Sequence, residues 1–423
     1  MTSLKSREGN SADIKAAGSM HQFLMTLHFK YGHIAVFWHK KIRVVSLAYP
    51  EAWKDVIKLF DRPGEIFEFV NCLIGSKSIQ FANGDEGKQR RHIHDKSFTH
   101  RAIENYYNSF QKAADDATDK IGLLPPYDHI NLTEHMSMFA MNAVNRAIFG
   151  DFFKDDNHAI TLLRHYEKST MRLLSSFPAL KKWHDFIRSL IQHRRDNPPD
   201  VDEDWTFIDN LMENSSTEEQ LFSDVITYYI AGFHTTTFTL VWIIYFMCKD
   251  QSVQAKLHEE LLRVLGQDQN VNNVNIKHLQ YMRQVIDKSM RCSLIAPFGA
   301  RVKIKKDMNI QGYTIPKETP MMQAFGVVHR DEKIWPDPER FDPGRFSLEG
   351  CRKRHALAFT PFGFAGKRKC PAFRFSYAEI CVFLSTLCRK YKFQLVEGQT
   401  IGRKYGFVTT PSDDVWVTVT KRE

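Results

Sequence analysis

The chain has 423 residues, more than one hydrophobic core usually organises, so we expect either two domains or one large and mostly helical fold. Hydrophobic residues make up 43% and aromatic residues 13% of the chain, including 32 Phe, which excludes a disordered protein and predicts an aromatic-rich interior. The net charge of +9 suits an acidic protein partner or an anionic membrane surface. Nucleic-acid binding is not predicted, because basic and acidic residues are interspersed and no zinc-finger or RNP-like motif is present.

Seven cysteines, an odd number without a CxxC pair, favour a reducing, cytosol-facing compartment over a disulfide framework. Residues 1–19 form a polar lead with no signal-type apolar core. We therefore expect either a soluble protein or one whose membrane anchor is absent from this sequence. Residues 20–423 are predicted to form a single domain.

The first regular elements follow this lead. The pattern predicts an amphipathic helix from Met20 to about Gly32, two strands over Ile34–His39 and Ile42–Leu47, and a helix that begins at Pro50. A small sheet thus precedes a long region of helical pattern. The tail from Phe407 onward reads as a β-hairpin.

One stretch, Val225 to Met247, has the length to cross a bilayer. It carries His234 and several threonines at its middle, and no aromatic belt flanks it. We therefore predict a helix through the core of a large protein rather than a membrane span.

Near the end of the chain, Pro361 to Phe373 reads PFGFAGKRKCPAF. Gly363 and Gly366 let the backbone turn sharply and approach a flat ligand, and the basic residues before Cys370 favour a thiolate. A helix predicted from Phe373 would place its N-terminus behind the sulfur and lower the thiol pKa further. The pattern indicates a thiolate ready to bind iron, and the alternative is an inert buried cysteine in a basic loop.

This stretch resembles the heme-ligand signature FxxGxRxCxG of the cytochrome P450 family at Gly366, Arg368 and Cys370. Two departures are visible, since Phe362 lies eight positions before the cysteine instead of seven and Ala372 replaces the last glycine. The resemblance implies that Cys370 is the axial ligand of heme iron and that Phe362, Gly366 and Arg368 contact the cofactor.

Two further arginines are implied to bind the heme propionates. Arg91 matches an arginine of the family's heme-contacting helix, although Gly87 stands where the family has Trp, and Arg301 is the second candidate. For Arg91 the alternative is a solvated basic helix face.

The segment Ala231 to Thr237, AGFHTTT, resembles the family motif that lies beside the iron. Small Ala231 and Gly232 leave room for dioxygen, and Thr235 is implied to be catalytic. His234 replaces the acid of the family motif, and its ordinary pKa near 6.5 suits proton transfer at neutral pH. The alternative for His234 is a polar residue satisfied in a helix groove.

The family's structural Glu-x-x-Arg pair is altered. Arg291 is in place and Arg345 matches the third member of the triad, but Lys288 occupies the glutamate position. Asp287 is offset by about 100° on a helix, so we expect Glu339 or Asp342 to supply the missing charge. The segment Thr314 to Phe346 follows the family's strand and meander in spacing.

These matches extend over about residues 20 to 420, and the chain is most similar to the orphan animal branch called family twenty. The family implies a mostly α fold, with a large helical domain, a small β-rich lobe and heme b between them. It also implies monooxygenation of an apolar lipid, sterol or xenobiotic, by a monomer on the cytosolic face of the endoplasmic reticulum membrane, with electrons from NADPH through a reductase. Two alternatives stay open: a heme-thiolate isomerase or dehydratase, and a non-catalytic heme-binding protein.

A last expectation concerns Ser169 to His184, which mixes aromatic and basic residues around Pro178. It resembles the family's lid over the substrate channel. An ordinary pair of surface helices is the alternative.

Overall fold

The computed structural model describes residues 8–125, 127–150, 177–198, 205–303, 305–363 and 366–422. The first half of the lid predicted over Ser169 to His184, residues 169–176, lies outside these residues. The helices within them are α1 Ser11–Ala16, α2 Met20–Tyr31, α3 Pro50–Val56, α4 Asn71–Ile74, α5 Gly84–Asp95, α6 His100–Glu104, α7 Tyr107–Gly122, α8 Leu132–Val144, α9 Phe177–Asp196, α10 Phe207–Asn214, α11 Glu218–Lys249, α12 Gln251–Leu265, α13 Gln280–Ser293, α14 Phe325–Arg330, α15 Leu348–Arg352 and α16 Phe373–Lys390.

The strands are short and fall into four small sheets. They are β1 Ile34–His39, β2 Ile42–Leu47, β3 Ile130–Asn131, β4 Gly299–Arg301, β5 Met308–Ile310, β6 Tyr313–Ile315, β7 Met321–Gln323, β8 Tyr391–Leu395, β9 Arg403–Lys404, β10 Thr410–Pro411 and β11 Trp416–Lys421. Their orders are β1-β2-β7-β4, β5-β6, β3-β11-β8 and β10-β9. The predicted mostly α fold with a small β-rich lobe is confirmed.

The N-terminal sheet forms as the pattern predicts. Strands β1 and β2 pair antiparallel from Ile34 opposite Leu47 to His39 opposite Ile42, and Lys40 takes the positive φ of 53° that the tight turn requires. Strand β2 also pairs in parallel with β7, which lies next to β4. Asn10, within the polar lead, exchanges two hydrogen bonds of 2.8 Å with the backbone of Trp38, so this lead contacts the sheet from residue 9 onward.

The predicted C-terminal hairpin is wrong. Strand β11 pairs antiparallel with β8 from Val417 opposite Leu395 to Lys421 opposite Tyr391, and β10 pairs with β9. Strand β8 follows directly after α16, and Pro411 lacks the backbone N–H that an extended ladder within the tail would need. Val417 and Phe393 are both buried in this sheet.

Helix α11 is the long central element, with 32 residues. Thr217 caps its N-terminus by accepting a hydrogen bond from Gln220 N at 3.1 Å, and Glu218 and Glu219 lie in its first turn. By length and composition it passes the test for a membrane span, but 67% of its most apolar window is buried inside the fold. The predicted core helix is confirmed.

Helix α16 packs against α11 and places a carboxyl group in the core. Glu379 is fully buried, and its Oε2 accepts a hydrogen bond of 3.0 Å from the Thr236 hydroxyl. Its other oxygen, Oε1, has no hydrogen-bond partner among the described residues. Burial raises the pKa of Glu379 to about 8, against the smaller opposing effect of Thr236, so this carboxyl is mainly protonated at pH 7.

We expect Glu379→Gln to remove the part of the pH dependence of stability that comes from this carboxyl group. The folded-state pKa lies above the ordinary value of 4.5, so the native state retains a proton that the unfolded chain releases. The contribution of Glu379 to the free energy of unfolding should therefore fall by roughly 3–5 kcal/mol as pH rises from about 4.5 to about 8, while buried histidines such as His234, whose pKa values are lowered, contribute in the opposite direction. The variant keeps the neutral group and loses this slope.

Urea unfolding followed by circular dichroism at pH 5, 6, 7 and 8 measures the slope. Glu332→Gln is the control, because Glu332 is exposed. Equal slopes for Glu379→Gln and the unsubstituted chain would show that Glu379 is ionised in the core.

Candidate functional site: a cysteine among four arginines

The cysteine loop is closed by a backbone hydrogen bond of 3.0 Å from Cys370 N to Phe362 O. Gly363 and Gly366 have φ values of 80° and 103°, which residues with side chains rarely adopt. A Cβ atom on Gly366 would also lie 3.1 Å from Ile57 O. The two glycines are therefore required by the turn that presents the sulfur, as predicted.

The predicted helix does begin behind the sulfur. Helix α16 starts at Phe373, and a backbone hydrogen bond at Ala372 acts to lower the Cys370 pKa, as do Arg91 and other nearby cations. The predicted net lowering is nevertheless wrong, because burial is the larger effect and raises the pKa of Cys370. A thiolate here needs a positive charge at the sulfur, which a coordinated metal ion supplies.

Three arginines predicted from the sequence, Arg91, Arg301 and Arg368, lie in one cluster near Cys370. Burial and then Arg91 and Arg301 lower the pKa of Arg368 to about 9, and burial and then Arg91 lower that of Arg301 to about 10. The cluster has a fourth member, Arg62, whose pKa is lowered by burial and then by the other three. Their positive charges therefore act on one another at close range.

Sequence reasoning missed Arg62. It lies about 300 positions before the cysteine, in a segment without a motif, and only the fold brings the two together. No signal in the residues around Arg62 could have found it.

The four guanidinium groups have little compensating negative charge. Arg91 pairs with Asp95 at 3.0 Å, which is the one ion pair of the cluster among the described residues. Arg301 donates to the carbonyls of Ala300 and Arg368 at 2.8 and 3.4 Å. The cluster therefore carries excess positive charge.

Arg368 differs from the other three arginines in its hydrogen-bond partners. Each of its three side-chain nitrogens donates to a backbone carbonyl, those of Phe60 at 3.2 Å, Ile79 at 3.0 Å and Ala82. Arg368 therefore braces the cysteine loop against the preceding segment. Arg62 donates to Gln80, and Arg62, Arg91 and Arg301 each make fewer hydrogen bonds to the backbone than Arg368 does, so these three are better placed to bind an anionic ligand.

A ligand with two carboxylates fits this cluster, and the propionates of heme are such a pair. The fit rests on the excess charge at Arg62, Arg91 and Arg301, beside a sulfur whose burial disfavours an unbound thiolate. These residues are thus suited to hold heme.

Gly87 shows why the family Trp is missing. A Cβ atom at this position would lie 2.4 Å from Ala82 O and 3.0 Å from a ring atom of Phe60. Because Ala82 O is also bound by Arg368, the backbone cannot easily move away. A side chain at position 87 is excluded, and Arg91 one turn later is still directed to the cysteine loop, donating to Lys369 O at 2.9 Å.

Helix α5 is fixed to α11 by a buried ion pair. Arg90 Nη2 donates to both carboxylate oxygens of Asp224 at 2.8 and 2.7 Å, and Asp224 also accepts from Ile79 N at 2.7 Å. Four residues further along α11, the Tyr228 hydroxyl forms a hydrogen bond of 3.1 Å with His94. Burial raises the pKa of Tyr228, and Cys370 contributes to this rise. Helices α5 and α11 and the cysteine loop therefore meet at one place.

The next turn of α11 is accessible although the helix is otherwise mostly buried. Ala231 is exposed, and Gly232, His234 and Thr235 are partly accessible. Thr235 Oγ1 donates to Ala231 O at 2.7 Å. The small residues and the hydroxyl predicted to face dioxygen thus lie on one open turn.

His234 is closely surrounded by protein, with its ring 5.1 Å from that of Phe238. Burial lowers the pKa of His234 to about 4. Proton transfer by His234 at neutral pH was predicted from the ordinary histidine pKa of 6.5. Because the pKa in the fold is well below that value, His234 is a neutral imidazole at pH 7.

In the altered Glu-x-x-Arg pair, the groups that bind Arg291 differ from the predicted carboxylate. Arg291 Nη1 donates to His329 O at 2.6 Å, Nη2 donates to Pro338 O, and the guanidinium lies over Trp335 at 5.0 Å. Backbone carbonyls and an aromatic face thus replace the carboxylate. Lys288 is fully buried, and its Nζ has no hydrogen-bond partner among the described residues.

Neither Glu339 nor Asp342 forms an ion pair with Lys288 among the described residues. Glu339 pairs with Arg330 at 3.5 Å and with Arg403 at 3.4 Å, and Asp342 lies 3.8 Å from Arg345. Asp342 nevertheless raises the pKa of Lys288 and Glu339 raises that of Arg291, so the expected acids act on these cations without an ion pair to Lys288.

Arg62→Met should weaken heme binding by about 10-fold or more, because a charge-assisted hydrogen bond to a propionate is worth roughly 1.5–3 kcal/mol. Titration of heme into the purified apoprotein, followed by absorbance, measures the affinity. Arg43→Met is the matched control, because Arg43 is exposed on β2. Equal affinities for the two variants would exclude Arg62 as a heme ligand.

Comparison with known proteins agrees with this site. The family model "Cytochrome P450" matches residues 6–417. Cytochrome P450 20A1 of Rattus norvegicus is 30% identical over 442 residues, covering all of this chain and 92% of that protein. Cytochrome P450 20A1 of Homo sapiens is 29% identical over 441 residues, with the same coverage. Probable cytochrome P450 4aa1 of Drosophila melanogaster is 22% identical over 428 residues, covering 93% of this chain and 83% of that protein.

The resemblance to family twenty is thereby confirmed. A family match across nearly the whole chain, in the presence of a suitably placed cysteine and its arginine cluster, identifies the class of enzyme. The chain belongs to the cytochrome P450 family of heme-thiolate monooxygenases.

Proposed function

We propose that this enzyme inserts one oxygen atom from O2 into a C–H bond of an apolar organic substrate, with electrons from NADPH delivered by a reductase. The balanced reaction is RH + O2 + NADPH + H⁺ → ROH + H2O + NADP⁺. The observation that carries the proposal is the meeting of Cys370, the arginine cluster and the open turn of α11. Heme b, when bound, supplies the iron at which dioxygen is activated.

The residues of the site have separate tasks in this reaction. Cys370 Sγ would bind the heme iron, Arg62, Arg91 and Arg301 would hold the propionates, and Arg368 braces the loop. The accessible turn at Ala231 admits dioxygen beside the small residues.

Proton delivery is assigned to Thr235. Its hydroxyl is accessible and is held by Ala231 O at 2.7 Å, so it can turn from that carbonyl to donate a proton at the reacting oxygen. His234, a neutral imidazole at pH 7, can orient this exchange by accepting a hydrogen bond without changing its charge.

The basic residues of the cysteine loop suit an acidic electron donor. Lys367 is exposed and Lys369 is half-buried beside the heme-binding cysteine. Electrons delivered at this face travel a short path to the site, which supports docking of a reductase here.

Association with the cytosolic face of the endoplasmic reticulum membrane is part of the proposal. Phe29 on α2 is 95% exposed and Val36 on β1 is 52% exposed. Apolar side chains of this kind suit an interface with lipid, and the net charge of +9 suits an anionic surface. An apolar substrate of the lipid, sterol or xenobiotic kind would arrive from the same phase.

The experiment combines a reductase, NADPH and a substrate chosen from a fatty-acid and sterol library by its shift of the heme absorption. We expect NADPH oxidation that requires O2 and yields a hydroxylated product. A product formed without NADPH or O2 would instead indicate an isomerase or dehydratase, and a heme protein inert under all conditions would indicate a non-catalytic role.

Thr235→Ala should lower hydroxylated product per NADPH by about 10-fold or more, with the reducing equivalents released as hydrogen peroxide. The control is Thr237→Ala, because Thr237 makes the same helix hydrogen bond, to Phe233 O at 2.9 Å, but is buried. The ratio of product to NADPH oxidised is measured for both. An unchanged ratio in Thr235→Ala would remove Thr235 from the proton path.

A further inference from the structure

A second group of buried cations lies on α13 and the turn at Pro343–Phe346 that packs against it. Lys288 and Arg291 are three positions apart and therefore share a face of α13, and both are essentially inaccessible to solvent. Arg345, on the packed turn, has a side chain only 16% exposed. Burial lowers the pKa of Lys288 to about 8, and Arg291 and Arg345 contribute to the lowering, so the three groups act on one another electrostatically.

Each of the three cations has a buried nitrogen without a hydrogen-bond partner among the described residues. They are Lys288 Nζ, Arg291 Nε and Arg345 Nη1. An unpaired buried donor on a charged group costs free energy that a protein normally avoids.

The acids nearby do not balance this charge. Asp342 lies 3.8 Å from Arg345 and is 39% exposed, which leaves a weak pair. Asp287 lies on another face of α13. Its carboxylate accepts hydrogen bonds from Arg283 at 2.9 Å and from the Tyr377 hydroxyl.

Cys292 also lies against the cluster, and Arg291 Nη2 donates to its Sγ at 3.1 Å. Cys292 and Asp342 raise the pKa of Lys288 and so oppose the effect of burial, but Lys288 Nζ makes no hydrogen bond to either of them. Lys288 itself keeps its proton at pH 7, because its pKa of about 8 lies above that pH. The cluster therefore holds an excess of positive charge in a place that solvent does not reach.

We propose that Lys288, Arg291 and Arg345 form a binding site for a small inorganic anion of the size of chloride, which supplies the negative charge missing from this part of the fold. Three unpartnered N–H donors carried by cations are what such an anion requires. The anion stabilises the packing of α13 on the Pro343–Phe346 turn. It takes no part in the reaction, so the site is independent of the proposed function.

The experiment measures thermal unfolding of the purified full chain by far-ultraviolet circular dichroism. Sodium chloride replaces sodium gluconate stepwise at constant ionic strength and pH 7, so that general screening stays constant. We expect a saturable rise in melting temperature of at least about 2 °C in chloride, because an anion that binds only the native state stabilises it.

Three variants assign the effect to the cluster. Lys288→Met should lose the chloride dependence, whereas Lys277→Met should keep it, because Lys277 is exposed in the turn before α13. Lys288→Glu carries its own negative charge, so it should also lose the dependence and melt in gluconate at least as high as the unsubstituted chain in chloride.

A direct reading comes from crystals grown in bromide, where an anomalous peak is expected within hydrogen-bonding distance of Lys288 Nζ. Equal melting temperatures in chloride and gluconate for the unsubstituted chain would overturn the proposal. So would an undiminished chloride effect in Lys288→Met. A third outcome would also overturn it: chloride leaves the melting temperature unchanged, and Cys292→Ala lowers the melting temperature. The thiolate of Cys292 would then be the counter-charge of the cluster.

Discussion

Four arginines beside Cys370, three buried and one partly accessible, carry the charge that the rest of this structure must accommodate. Arg62, Arg91, Arg301 and Arg368 come from separate parts of the chain, and one ion pair with Asp95 offsets them among the described residues. Such an arrangement is costly without an anionic ligand. Heme, the cofactor of the family, would supply two carboxylates for the arginines and an iron cation for the sulfur, so one cofactor would satisfy both unfavourable groups.

The fold serves this constraint by fixing three elements relative to one another. The bidentate Arg90–Asp224 pair holds α5 to α11, and Arg368 fastens the cysteine loop to the carbonyls of Phe60, Ile79 and Ala82. The helix that opens behind Cys370 also inserts Glu379 against Thr236 of α11. The residues of the open turn are therefore positioned by interactions on both sides of the cofactor site.

Local patterns were sufficient for much of this architecture. The spacing of β-branched residues located β1 and β2 with their observed bounds, and the two glycines of the cysteine loop were identified by the turn they must make. The order of motifs around Cys370 and Arg91 was enough to predict the fold class. These features depend on residues close together in sequence or on a spacing that the family shares.

Features that depend on the folded environment were not predictable. Arg62 has no local signal, and the tail strand β11 pairs with β8 because α16 brings β8 beside it. The acidity of Cys370 and His234 was misjudged from their neighbours in sequence, because burial outweighs nearby charges and helix ends. Glu339 or Asp342 was expected to pair with Lys288, but the ion pairs of both acids are with arginines.

The central claim is that bound iron overcomes the effect of burial and holds Cys370 as a thiolate. The absorption spectrum of the reduced protein under carbon monoxide tests this most directly, since the position of the main heme band distinguishes a thiolate ligand from a neutral one. We predict the red-shifted band of thiolate-ligated heme, and its loss in Cys370→Ser. Heme bound in full amount with the band of a neutral ligand would contradict the account.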